Sequence, residues 1–167
     1  MKRYFRWDDN EYIGGTVYVE TEDDYAKKQI ALLPKNYIAS NRKDAKYHYY
    51  LSDAPIIANE VIKHGAAEVS KEQFYDIWNE YSKELFNKWK LTKENFPVGS
   101  VVEGSIEIFY PQGVIFSITE DVIGLADYNK CRDSTRPDNL YPGHKVRGIV
   151  NGYDEENMWL YRPQLIS

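Results

Sequence analysis

The side chains best suited to catalysis or metal binding are few: three histidines, His48, His64 and His144, and one cysteine, Cys131. The histidines are far apart, and none stands at metal-ligand spacing from another histidine or from the cysteine, so no metal site is expected. One cysteine forms no internal disulfide. Lys130 and Arg132 flank it and would favour a thiolate, but no partner histidine is evident, and a bystander thiol is the expected role. The acidic runs Asp8-Asp9, Glu22-Asp23-Asp24 and Glu120-Asp121 lie among turn residues and read as solvated turns. General acid–base work would need a cleft around them. There is no phosphate-cradling glycine loop and no nucleophile elbow; Gly14-Gly15 is a turn. The reading is of a non-catalytic chain with no cofactor.

Recognition chemistry is better represented. Phe109 and Tyr110 stand where two β-rich runs meet, Tyr128 follows the third such run, and Lys130, Arg132 and Arg136 fall in a polar stretch after it. Lys145 and Arg147 are two apart in a further β-rich run, which puts them on one face of a strand. Rings and cations in this mixture suit single-stranded nucleic acid, whose bases stack and whose phosphates need neutralising. The plainer alternative is that the charges are solvated and the rings fill a sheet edge. Charge balance opposes a polyanion: the formal net charge is −5, split as −1 over residues 1–92 and −4 over residues 93–167.

The elements that would position these residues follow from periodicity. Arg3–Trp7, Thr16–Glu20, Gln29–Leu33 and Asn36–Ala39 are short β-rich runs between turn signals and suggest a small antiparallel meander. Asp53-Ala54-Pro55 reads as the start of a short helix running to Lys63, ended by His64-Gly65. Ser70-Lys71-Glu72-Gln73 is a capping box, followed by Phe74, Ile77, Trp78, Tyr81, Leu85 and Trp89 at helical spacing. This pattern predicts one amphipathic helix over about 71–90, roughly 30 Å long. Thr92–Asn95 reads as the boundary between an α+β domain over residues 1–92 and a second domain over 96–167.

The second domain holds five β-rich runs with a long polar loop after the third. Val98-Gly99-Ser100-Val101-Val102-Glu103-Gly104-Ser105-Ile106 opens it. Gly113-Val114-Ile115-Phe116-Ser117-Ile118, Gly124-Leu125-Ala126 and Leu140-Tyr141-Pro142-Gly143-His144-Lys145-Val146-Arg147-Gly148-Ile149-Val150 follow in order, and Tyr153-Asp154-Glu155-Glu156-Asn157 and Leu160 close it. In this order the segment resembles the S1-motif RNA-binding family. The resemblance implies a five-stranded all-β OB-fold barrel and single-stranded RNA as partner. It also marks departures. Gln112 stands where the family usually has an aromatic, Ile115 where it has a phenylalanine, and Asp127 where it has a histidine. Losing two stacking rings costs several kcal/mol at about 1–3 kcal/mol per base.

Two functions are therefore expected in competition. One is weak, sequence-tolerant single-stranded RNA binding through Phe109, Tyr110, Tyr128, Lys130, Arg132, Arg136, Lys145 and Arg147. The other is a protein-interaction module, scaffold or immunity-like, that has lost RNA binding and holds a protein partner through the N-terminal domain. No apolar run approaches the roughly 20 residues that span a bilayer. The opening residues turn acidic by Asp8-Asp9, unlike a secretory signal. A cytoplasmic protein without membrane contact is expected.

Overall fold

Lys2–Asn10 and Gly15–Glu22 form strands β1 and β2, paired antiparallel with Phe5 opposite Val19. Successive side chains on a strand face opposite ways, so each parity here finds its own core. The computed structural model describes residues 1–134, 140–161 and the strand at 164–165. Strand β3 (Tyr25–Leu32) returns from β2 through Asp23-Asp24, both at positive φ (52° and 69°), as a two-residue hairpin turn requires. Strands β4 (Tyr37–Ala39) and β5 (Ala67–Val69) complete a five-stranded sheet of order β4-β3-β2-β1-β5.

On one face, Phe5, Val17, Val19 and Ala31 pack with Ile13, Ile56 and Ala58, the last being the first residue of helix α1 (Ala58–Lys63). On the other, Tyr4, Ile30 and Ala39 pack against Phe74, Trp78 and Tyr81 of helix α2 (Lys71–Ser82). Ser70 caps α2: its hydroxyl accepts from the Gln73 amide at 3.1 Å, and the Gln73 side chain accepts from the Ser70 amide at 2.8 Å. The helix expected from Asp53 starts only at Ala58, with no side-chain cap. Beneath α2, Glu20 and Lys28 are both buried and form an ion pair of 3.0 Å. The Tyr75 hydroxyl donates to Glu20 at 2.8 Å and accepts from Lys28 at 3.2 Å, while Tyr4 donates to Glu20 at 3.2 Å. This network satisfies two charges that would otherwise be costly to bury.

The chain forms two units, Met1–Leu85 and Phe86–Ser167, dividing ahead of the Thr92–Asn95 stretch read as the boundary. The second unit begins with helix α3 (Phe86–Asn95). Its Trp89 is buried edge-on to Tyr153 at 5.7 Å and donates to Glu155 at 2.8 Å. Lys93 adds an ion pair to Glu155 at 3.0 Å. Strands β6 (Val101–Tyr110), β7 (Gly113–Ser117) and β8 (Ile123–Ala126) form an antiparallel meander. The Phe116 ring lies over Gly124, where any side chain would collide with it. Helix α4 (Tyr128–Ser134) follows, then β9 (Lys145–Ile149), β10 (Gly152–Asp154), β11 (Trp159–Tyr161) and β12 (Gln164–Leu165).

Two expectations are corrected here. The single helix over about 71–90 does not form: α2 ends at Ser82, a 3₁₀ turn occupies Lys83–Leu85, and α3 starts afresh at Phe86. The physical reason lies in the apolar stripe, which serves two cores. Phe74, Trp78 and Tyr81 are buried in the first unit and Trp89 in the second. The five-stranded closed OB barrel does not form either. The sheet has seven strands in the linear order β10-β11-β8-β7-β6-β9-β12. The Lys145–Val150 run read as the fourth strand is β9 and pairs with β6, and a further strand that the sequence reading did not expect, β10, follows it and pairs with β11. Because β9 and β10 are two residues apart yet sixth and first in that order, the sheet must curl. Flat, the two would lie about 24 Å apart, and the link spans at most about 10 Å. Among the described residues, no helix is long and apolar enough to cross a membrane.

Candidate nucleic-acid interface

The residues singled out for recognition fall into two groups within the second unit. The first is aromatic. Phe109, near the end of β6, is 39% exposed and Tyr128, at the start of α4, is 47% exposed. Their rings meet at 6.0 Å and 80°, an edge-to-face pair open to solvent. Tyr110 is not part of this surface. It is 8% exposed and packs against buried Trp159 at 6.3 Å. The signal was available: Tyr110 continues the two-residue spacing of Ile106 and Ile108, and Phe109 falls on the opposite parity.

Helix α4 replaces the front of the expected polar loop. Asp127 makes it possible by accepting the Lys130 backbone N–H at 3.0 Å, an N-cap that explains a carboxylate at this position. Cys131 is the inward residue of α4; it is 1% exposed, and burial followed by the nearby Asp127 charge pushes its thiol up to about 12. A thiol held protonated in this way is no nucleophile. With Cys131 inward, a helical turn of 100° per residue puts Arg132 on the same flank as Tyr128 and Lys130 on the opposite flank. Lys130 and Arg132 are both exposed, and Arg136 lies outside the described residues.

The second group lies across the β6–β9 ladder, where a groove of about 430 Å³ is lined by Glu103, Gly104, Ser105, Lys145, Val146 and Arg147. Lys145 and Arg147 are exposed on either side of buried Val146. Lys145 stands opposite Ser105, and Arg147 opposite Glu103. The Arg147–Glu103 ion pair, at 3.1 Å, halves the positive charge that the groove offers an anion. Two residues that the sequence reading did not single out extend this group. Tyr141 is 50% exposed and meets the His144 ring at 5.2 Å, immediately before Lys145. The turn carrying them is anchored on β6 by the Gly143 N–H to the Ile106 carbonyl (2.6 Å) and the Ile106 N–H to the His144 carbonyl (2.9 Å). The two groups are separated along β6 by the four residue steps from Ser105 to Phe109, on the order of 13 Å of strand.

Strands β7 and β8 offer little surface. Val114, Ile115, Phe116, Ile123, Leu125 and Ala126 are all buried, so Ile115 is a core residue rather than an exposed substitute for a stacking ring. Among the described residues, no group of three or more histidine, cysteine or acidic side chains could hold a metal ion. No family model matches the chain, and no curated protein matches it.

Proposed function

We propose that this protein binds single-stranded RNA, weakly, non-catalytically and with little sequence preference, through the second unit. The observation that carries the reading is the solvent-open Phe109–Tyr128 ring pair with Arg132 on the same helix flank. A flat ring accepts any base, and a neighbouring guanidinium suits the phosphate beside it. The Tyr141–His144 pair beside Lys145 supplies a second stacking place. The resemblance of residues 96–167 to S1-motif sequences supports the same partner. A cytoplasmic setting, where RNA is at hand, belongs to this proposal.

The cations bound the affinity. Lys130, Arg132 and Lys145 are exposed, and Arg147 is ion-paired with Glu103. Three phosphate contacts on a single strand correspond to a slope of about −2 in log K against log salt. The test is a fluorescence-anisotropy titration of labelled single-stranded RNA with the full chain at several salt concentrations. The wild type is compared with a Phe109→Ala/Tyr128→Ala variant. Binding with that slope, weakened about tenfold or more in the variant, supports the reading. No binding even at low salt overturns it and turns attention to a protein partner.

A further inference from the structure

The first unit contains a cavity that the RNA reading does not use. It measures about 280 Å³ and lies between the sheet face carrying Val17 and Val19 and the segment leading into α1. Trp7 and Tyr50 supply rings to its lining, and Val17, Val19, Ile56 and Val61 supply aliphatic surface. Its polar lining is Asn10, Gln29, Tyr50 and Ser52, and no lining residue is charged. At ~30 Å³ per water the volume equals about nine waters, the room taken by a one- or two-ring heterocycle. Tyr50 also joins the cavity to an exposed cluster: its ring meets Tyr47 at 6.3 Å and Tyr12, 76% exposed, at 6.5 Å.

Two amide oxygens in the lining are already engaged by backbone N–H groups. The Asn10 side-chain oxygen accepts the Tyr12 and Ile13 N–H groups at 3.0 and 3.2 Å, leaving its amide hydrogens. The Gln29 side-chain oxygen accepts the Ser52 N–H at 2.8 Å, and the Gln29 side chain lies beside the Tyr50 hydroxyl. The Tyr50 hydroxyl can donate or accept. The Ser52 hydroxyl can likewise donate or accept. The lining therefore offers uncharged hydrogen-bonding groups between flat apolar walls, and no cationic side chain to pair with an anion.

We propose that this cavity binds a neutral planar heterocycle with carbonyl or ring-nitrogen acceptors on its edge, of nucleobase size and class. The proposal is independent of the RNA reading of the second unit. Its test uses the full ¹⁵N-labelled chain and follows the Trp7 indole and Ser52 amide signals while uracil is added, with orotate, its carboxylate derivative, as the charged control. Uracil is expected to move both signals saturably. Orotate is expected to bind at least about tenfold more weakly, because it carries its charge into an uncharged cavity. Ser52→Ala removes one donor without removing the backbone N–H that holds Gln29, and is expected to weaken uracil by about tenfold. Val61→Phe fills the cavity and is expected to abolish the shifts; if that variant does not fold, Ser52→Ala carries the comparison. An oligouridylate that moves Trp7 would show the ring delivered on a strand, and shifts with uracil alone would show a free small molecule; both uphold the site. Absence of a saturable shift, equal binding of orotate, or shifts that survive in folded Val61→Phe protein overturn it.

Discussion

Single residues separate what stabilises this protein from what it can present to a partner. Glu20 is the clearest structural case. Burial pushes its carboxyl up, but Lys28, the Tyr75 hydroxyl and Lys2 together outweigh burial and hold it below the usual carboxylate range. A carboxyl depressed by folding stabilises the native state above its unfolded pKa, and that contribution is lost as pH falls through the lower native value. Stability of the wild type is therefore expected to fall on acidification below about pH 4.3, the ordinary glutamate value. Glu20→Gln should lose part of that dependence in urea titrations at several pH values. Lys28→Met strands a buried carboxylate and is expected to cost about 3–5 kcal/mol; a variant as stable as wild type would contradict the buried ion pair. Tyr110 and Phe109 make a matched pair of tests. Tyr110→Ala empties core beside Trp159 and should cost about 3 kcal/mol, whereas Phe109→Ala should change stability little and act on binding. Cys131 should resist alkylation in the native protein and react once the protein is unfolded. Mass spectrometry after timed labelling checks this, and fast native labelling would contradict a buried thiol.

Elements show where local sequence carries the fold and where it does not. The capping box at Ser70 and the two-residue periodicity around Val17 and Val19 are local signals, and both are legible in the chain. The break at Lys83–Leu85 is not, because the i, i+3, i+4 stripe continues across it. What changes there is which core the ring enters, and that depends on contacts distant in sequence. Helix α4 was hidden for a different reason. It is only seven residues long, and Asp127 just before it and Asn129 in its first turn are turn-favouring types. The Arg147–Glu103 pair follows from strand register, a pairing across 44 positions that no short window contains. The cap at Asp127 gives the element-scale prediction. Asp127→Ala should cost about 1 kcal/mol and loosen Tyr128 from Phe109. A chemical-denaturation midpoint and the Tyr128 ring signals together measure both effects, and an unchanged midpoint would count against the cap.

At the scale of the whole molecule, a net charge of −5 and a second unit that is itself acidic set a ceiling on affinity for a polyanion. The exposed rings and the few cations around them must therefore be concentrated to work at all. They are gathered along β6, the start of α4 and the turn before β9, while β7 and β8 are given over to the core. On the proposed function, recognition would rest on a strand end, a helix start and a turn. The measurement that tests this most directly is ultraviolet cross-linking of the full chain to single-stranded RNA, with the linked residues identified by mass spectrometry. Cross-links at Phe109, Tyr128 and Tyr141 are the expected result. Cross-links confined to residues 1–85, or none under conditions where a known single-strand binder links readily, would contradict an RNA-binding second unit.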